Sequence, residues 1–115
     1  MNILRTSGTF TMAEMYRLTK SPEIANLSTV KGQTLELERF IVYEDNNADG
    51  EAVVIAAFET VQGELFATNS RTFINDFLDI VTMCDETGAA LPKQIKVLEK
   101  TGKSGRNYIQ CVYIS

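Results

Sequence analysis

Seven residues near the end of the chain, Lys100 to Arg106, combine two glycines with three cationic side chains. Glycine lets the backbone approach a phosphate closely, and cationic side chains neutralise phosphates, so the segment favours a phosphate-bearing ligand. It is not a P-loop, which needs four residues between its first glycine and Gly-Lys-Ser/Thr and a strand-to-helix context. The same composition is also typical of a solvated hairpin turn kept soluble by lysines.

Charge is divided unevenly along the chain. The formal net charge is −4, which taken alone argues against a strongly basic nucleic-acid binder. Between residues 36 and 86, twelve acids accompany two bases, whereas between 93 and 106 five bases accompany one acid, Glu99. The five bases are Lys93, Lys96, Lys100, Lys103 and Arg106. We therefore predict a basic strip on an otherwise acidic protein.

Aromatic residues on the predicted strands offer a second kind of contact, because the bases of a single strand stack on aromatic rings. Strand parity predicts that Tyr43 faces outward and that one of Leu65 and Phe66 does so. By the same parity, one of Tyr108 and Tyr113 belongs to the core. Core packing is the commoner role for any single strand aromatic. As a set, we predict Tyr43, Phe66 and Tyr108 as stacking residues.

Several kinds of chemistry are excluded by composition. The chain has no histidine, which rules out Ser-His-Asp and Cys-His catalysis and every zinc site that needs histidine. Two cysteines, Cys84 and Cys111, cannot form a thiolate-only metal site. The acidic segment Glu44–Glu51 lacks the ligand spacing of a calcium loop and is interpreted as a solvated turn. We predict no catalytic residue, no metal and no cofactor.

The elements that must position the basic strip follow from hydrophobic periodicity and turn residues. A capping box, Thr11 to Glu14, predicts a helix to about Thr19, and Ser21-Pro22 predicts a second, shorter helix. A third helix is expected from Ser70 to Thr87. The predicted strands cover 34–43, 51–59, 64–68, 94–99 and 107–114. A break of parity near Glu38-Arg39 predicts a β-bulge in the first strand.

Three strands, a helix and two more strands, with a long bent first strand, make the element order of the OB-fold. We predict an all-β protein with helices, a five-stranded OB-fold barrel over residues 32–115, preceded by a short helical N-terminal extension over residues 1–31. An open α+β sheet with the same elements is the alternative architecture, and element order alone does not separate the two.

Length and hydropathy set the class of protein. A chain of 115 residues fits one domain. No stretch resembles a signal peptide or approaches the roughly 20 apolar residues of a membrane span. We expect a cytoplasmic protein with no membrane association, in which Cys84 and Cys111 are buried free thiols.

Three stretches resemble the small single-stranded DNA-binding proteins of tailed phages of Gram-positive bacteria. The first runs from Gly32 to Tyr43, a glycine opening a long strand that ends in tyrosine. The second is Gly63–Ser70 together with the helix that carries Phe77-Leu78-Asp79-Ile80-Val81. The third runs from Lys96 to Tyr108 and includes the basic turn.

The resemblance implies an OB-fold that coats displaced single strands during phage replication, without sequence preference. Tyr43 and Phe66 match family positions with stacking aromatics, and Lys100–Arg106 matches the turn before the last strand. Single-stranded DNA and replication proteins are the implied partners. Residues 1–31 lie outside the resemblance, and we expect them to cap the barrel or to mediate self-association.

A protein-interaction module remains the alternative, for example an inhibitor of a host enzyme whose acidic surface mimics DNA. Reversing the charges of Lys100, Lys103 and Arg106 separates the two hypotheses, because it abolishes DNA binding and leaves an acidic surface intact. An enzyme is the least supported class, since the chain has no histidine, metal motif or activated nucleophile.

Overall fold

Seven strands and two α-helices build the protein in the computed structural model, which describes residues 1–115. The strands are β1 (Asn2–Thr6), β2 (Ala25–Asn26), β3 (Thr34–Asn46), β4 (Ala52–Thr60), β5 (Leu65–Thr68), β6 (Gln94–Thr101) and β7 (Asn107–Tyr113). The helices are α1 (Met12–Thr19) and α2 (Arg71–Thr87), and a 3-10 turn covers Leu27–Val30.

The long strand β3 organises the sheet, whose order is β2-β5-β4-β3-β6-β7 with β1 also paired to β3. The first residues of β3 pair with β6 (Thr34 opposite Lys96), and its later residues pair with β4 on one edge and β1 on the other. The register shifts between Leu37 and Arg39, which confirms the predicted bulge. Since β5 and β7 do not pair, the sheet is a curled half-barrel.

Helix α2 supplies the main core from one side of the sheet. The Oγ of Ser70 accepts a hydrogen bond from the N–H of Phe73 at 3.3 Å, and Gly88 ends the helix at φ +79°. The fully buried ring of Phe77 meets Phe40 and Phe58 edge to face, with centroids 4.8 and 4.9 Å apart. These contacts fix α2 against β3 and β4.

Helix α1 covers the opposite side of the sheet. Its predicted capping box is confirmed: the N–H of Thr11 donates to Oε1 of Glu14, and the N–H of Glu14 donates to Oγ1 of Thr11. Leu18 of α1 is buried against Ile41 and Tyr43 of β3 and Ala57 of β4. The sheet is therefore covered on both faces in this region.

The predicted strands, the bulge, α1 and α2 are confirmed, with ends shifted by up to three residues. The short helix predicted after Pro22 is confirmed only at its end: a turn at Pro22 leads into β2, whose two residues pair in parallel with Phe66 and Ala67 of β5, and the helical turn is the 3-10 segment Leu27–Val30, which ends before Lys31. Strand β1 was not predicted, because Asn2–Thr6 shows no alternation and its side chains are mostly exposed. Residues 1–31 thus contribute strands as well as a helix.

Candidate nucleic-acid interface

Cationic side chains without carboxylate partners gather on one hairpin. Of the eleven Lys and Arg residues, five form salt bridges within the fold: Arg5, Arg17, Lys20, Lys31 and Arg39. The remaining six are Arg71, Lys93, Lys96, Lys100, Lys103 and Arg106. All but Arg71 belong to β6, the β6–β7 turn or the residues just before β6, so uncompensated positive charge is concentrated there.

The hairpin of β6 and β7 has one inner and one outer face. Ile95 and Val97 of β6 are fully buried in the core. By strand alternation the intervening side chains of Lys96, Leu98 and Lys100 lie on the outer face. Beyond Val97 the only strand partner of β6 is β7, so this part of the hairpin extends past the start of β3.

The outer face continues onto β7 through cross-strand pairs, which place side chains on the same face. Lys100 lies opposite Tyr108, Leu98 opposite Gln110 and Lys96 opposite Val112. We call these six side chains the outer face of the β6–β7 hairpin. Lys96 and Lys100 are about 13 Å apart along the strand, from the rise of about 3.3 Å per residue.

The turn that joins the two strands is closed by backbone hydrogen bonds. The N–H of Gly102 donates to the carbonyl of Arg106 at 2.8 Å, and that of Gly105 donates to the carbonyl of Gly102 at 3.0 Å. Gly105 has φ +79°, a conformation that favours glycine. Lys103 and Arg106 are both exposed, so the turn adds two cations to the end of the outer face.

Tyr108 gives the outer face an accessible aromatic ring. Its side chain is 40% exposed, and a Cβ at position 102 would lie 3.7 Å from the ring, so the ring lies over Gly102. The turn contacts one edge of the ring, and 40% of the residue's surface remains accessible to solvent. This arrangement suits stacking of a base beside Lys100.

The other two predicted stacking residues are buried. The parity argument put Tyr43 on the face opposite the main core, and it does lie there, but α1 covers that face and leaves the residue 4% exposed. The prediction that Tyr43 points to solvent is therefore wrong. Phe66 is 5% exposed within the main core, and Leu65 is 4% exposed, so neither of this pair faces outward.

Burial also changes the chemistry of Tyr43, because desolvation, and secondarily the nearby charge of Asp45, raises the pKa of its hydroxyl. The expectation that one of Tyr108 and Tyr113 belongs to the core is wrong. Tyr113 has the parity of the core residues of β7, but it is 54% exposed because it lies at the end of the strand. The parity rule holds along β7, but its last residue projects past the core.

Lys93 lies apart from the outer face. It lines a groove of about 1030 Å³ between the C-terminal half of α2, the bulged part of β3 and the end of β7. Exposed apolar side chains line this groove together with Glu36 and Glu38. Among the apolar residues that line the groove, Val61, Met83 and Tyr113 have the greatest exposure. The structure therefore brings five of the predicted site residues together on the hairpin: Lys96, Lys100, Lys103, Arg106 and Tyr108. It places the other three elsewhere: Lys93, Tyr43 and Phe66.

Sequence reasoning missed three members of the outer face, Leu98, Gln110 and Val112. All three are partly exposed, and Leu98 and Val112 offer apolar surface while Gln110 offers an amide. The signal was present in the alternation of Lys96, Leu98 and Lys100 with buried Ile95 and Val97. Charge does not identify these three residues, because none of them is charged.

The acidic turn lies at the other end of β3. Because β6 runs antiparallel past the start of β3, the basic turn extends from that end, whereas the β3–β4 turn follows Asn46. Oδ1 of Asn47 accepts hydrogen bonds from the N–H groups of Asp49 and Glu51 at 2.9 and 3.0 Å, which matches a solvated turn. The separation keeps these carboxylates away from the cationic hairpin.

Both cysteines are free and buried, as predicted. Burial, with a smaller contribution from the charge of Asp76, raises the pKa of the Cys111 thiol to about 12. Burial likewise raises the pKa of Cys84. Thiols held in the protonated form are poor nucleophiles. No group of three or more carboxylate or thiol side chains is placed to hold a metal ion.

Neither helix combines the length and hydropathy that crossing a bilayer requires. No family model, curated protein or solved structure matches the chain.

Proposed function

We propose that this protein binds single-stranded DNA without sequence preference through the outer face of the β6–β7 hairpin. The observation that carries the proposal is the gathering of four cations without salt-bridge partners, Lys96, Lys100, Lys103 and Arg106, on the same hairpin as one accessible aromatic ring. The cations contact phosphates and Tyr108 stacks a base. No base-specific donor set is required, so the binding is not sequence-selective.

The proposal includes an OB-type arrangement of the sheet. Strands β3 to β7 follow the order in which the OB-fold uses its five strands, α2 lies between the third and fourth of them, and the sheet order β5-β4-β3-β6-β7 agrees. The β6–β7 turn then corresponds to the loop between the last two strands, which contacts ligands in OB-folds. The replication role in phages that the resemblance implies is part of the same proposal.

A matched pair of charge reversals tests the proposed function. Arg106 and Arg71 are both exposed and form no salt bridge, so Arg106→Glu and Arg71→Glu change net charge equally. We expect Arg106→Glu to weaken binding of an oligothymidine at least tenfold, measured by fluorescence anisotropy at low salt, and Arg71→Glu to weaken it much less. Equal effects of the two variants would show that only net charge matters and would contradict an interface on the hairpin.

A protein-interaction module is the second candidate, and the groove beside α2 is the observation that favours it. Exposed Val61, Met83 and Tyr113 form an apolar lining with acidic Glu36 and Glu38 at the edge. On this hypothesis Met83→Glu abolishes partner binding and leaves DNA binding unchanged. Under the proposed function, the hairpin variants instead weaken DNA binding and leave the binding of a partner at the groove unchanged.

A further inference from the structure

The outer face of the β6–β7 hairpin ends where the charge of the sheet changes sign. Cross-strand pairing continues the same side of the sheet onto β3, with Thr34 opposite Lys96 and Glu36 opposite Gln94. Glu36 is exposed and forms no salt bridge, so a free carboxylate comes directly after the last cation of the hairpin. A polyanion that follows the cations from the turn therefore meets negative charge beyond Lys96.

Helix α1 closes the route across the sheet. It covers the side opposite the main core, over Ile41 and Tyr43 of β3 and Ala57 of β4, and none of these three residues is more than 4% exposed. The arginines in this region are already paired with Glu14 and Glu59. On this side, β3 and β4 therefore offer a single strand neither an open aromatic surface nor an unpaired cation.

The reverse side of the hairpin has its charge compensated. Glu99 alternates along β6 with Leu98 and Lys100, so its side chain lies on the side away from the outer face. Its carboxylate accepts a hydrogen bond from the ammonium group of Lys31 at 2.7 Å, which neutralises both groups. The path that remains for a polyanion is the outer face itself, from the turn to Lys96.

Two further side chains lie along this path. Gln110 follows Tyr108 by two residues on β7, which places the two about 7 Å apart on the same face. Gln110 is partly exposed and lies opposite Leu98, which is also partly exposed and offers apolar surface. A carboxamide both donates and accepts hydrogen bonds, so Gln110 can bond to the edge of any base and adds affinity without sequence preference.

The length of the path limits how many nucleotides it holds. From Lys96 to Thr101, the last residue of β6, the path measures about 17 Å at a rise of about 3.3 Å per residue. Phosphates of one stacked strand are spaced about 3.4 Å along its axis, so about five stacked nucleotides, or fewer stretched ones, span this distance. This footprint is at the lower end of the range of about 4–16 nucleotides that an OB fold covers.

We propose that the ligand is a short unpaired segment of about four nucleotides, which lies lengthwise on the outer face from the turn to Lys96. This inference rests on the proposed function. Gln110 and Leu98 contact the segment between Tyr108 and Lys96 and are binding residues. Because the path is short, single-stranded gaps, loops and ends are sufficient ligands, and a long strand offers many overlapping sites.

A length series tests the footprint. Unlabelled oligothymidines of about 2 to 12 nucleotides compete with a labelled one for the wild-type protein, followed by fluorescence anisotropy. Up to about four nucleotides, each added nucleotide is expected to tighten binding about fivefold or more, the factor for one stacked base. From about 4 to about 12 nucleotides, affinity is expected to rise only with the number of overlapping sites, about ninefold in total. A continued rise of about fivefold per nucleotide would show that the strand runs on over the sheet and would overturn the short footprint.

A matched pair of glutamines tests the path. Gln110 and Gln94 are both partly exposed and lie on the same side of the hairpin, but Gln94 lies beyond Lys96, opposite Glu36. We expect Gln110→Ala to weaken binding of an oligothymidine of about four nucleotides about fivefold, through the lost hydrogen bonds. Gln94→Ala is expected to leave the affinity unchanged. Equal effects of the two variants would contradict a path that ends at Lys96.

These outcomes separate the inference from the proposed function, with Tyr108→Ala measured in the same titrations. If binding depends on Tyr108, but affinity climbs steadily with length or the two glutamine variants behave alike, the lengthwise path is wrong and the hairpin interface stands. If no oligothymidine binds, the proposed function fails and the inference fails with it.

Discussion

Under the proposed function, Tyr108 is the residue that stacks a base. It differs from Tyr113, on the same strand, in facing the side that carries Lys100. The two tyrosines are 40% and 54% exposed, so neither is needed for the core. They form a natural pair for separating stacking from general effects of removing a ring.

We predict that Tyr108→Ala weakens oligothymidine binding about tenfold, since one stacked base is worth about 1–3 kcal/mol. Tyr113→Ala is expected to leave the affinity unchanged, because Tyr113 lines the groove beside α2. Fluorescence anisotropy with a labelled oligonucleotide measures both. A larger loss in Tyr113→Ala than in Tyr108→Ala would move the binding surface to the groove.

Cys111 connects burial to stability at alkaline pH. Its pKa is raised to about 12 in the folded protein, so the folded state retains a proton that the unfolded state releases above its ordinary pKa of 9. The stabilisation is therefore complete below pH 9 and is lost as the pH rises from about 9 towards 12.

We predict that the free energy of unfolding of the wild type falls more steeply over this range than that of Cys111→Ala, by up to about 1.4 kcal/mol per pH unit. Urea unfolding at several pH values provides the comparison, and tyrosine ionisation cancels between the two proteins. Parallel curves would show that Cys111 ionises as freely in the folded state as in the unfolded one.

Among the elements, α2 determines stability through its aromatic contacts. Phe77 is fully buried and touches two other rings. We predict that Phe77→Ala lowers the free energy of unfolding by about 3–5 kcal/mol, through lost transfer energy and a residual cavity. Asn75→Ala, on the exposed side of the same helix, is expected to change it by about 0.5 kcal/mol or less. Urea denaturation distinguishes them, and similar costs for both would contradict this account of the core.

Under the proposed function, the β6–β7 hairpin is the element that determines the salt dependence of binding. Each phosphate neutralised on a single strand contributes about −0.7 to the slope of log K against log salt. We predict that neutralising Lys100, Lys103 and Arg106 together to glutamine reduces the magnitude of the slope by about 2. Titrations between low and moderate salt give the slope, and an unchanged slope would place the phosphates elsewhere.

Sequence patterns were sufficient for the elements with strong local signals. Ser70 and Gly88 mark the ends of α2, and the break of parity at Glu38-Arg39 located the bulge. Strand β1 lacked such a signal, since five mostly exposed residues join the sheet only through pairing with β3. Tertiary pairing of this kind has no counterpart in local periodicity.

The candidate site was predicted in part for the same reason. Parity correctly assigned Tyr43 to the face opposite the main core, but it carries no information on whether another element covers that face. The burial of Tyr43 depends on α1 packing on a strand more than 20 residues away in sequence. The basic turn could be predicted because the charged side chains of a hairpin turn lie at the surface independently of how the other elements pack.

At the scale of the whole molecule, charge is separated along β3. The acidic β3–β4 turn and the basic β6–β7 turn lie at opposite ends of this strand, so a net charge of −4 does not prevent one end from attracting a polyanion. Under the proposed function, carboxylates at the acidic end would repel DNA and so favour binding at the basic end. The net charge is therefore compatible with the proposed function.

The most direct test of the central claim is a titration of the wild-type protein with an oligothymidine of about 30 nucleotides, followed by tyrosine fluorescence, since the chain has no tryptophan. The account predicts quenching by the single strand that is weaker at higher salt, absent with a duplex of equal length, and largely lost in Tyr108→Ala. No change with any nucleic acid at low salt would contradict the account and redirect the search to a protein partner for the groove beside α2.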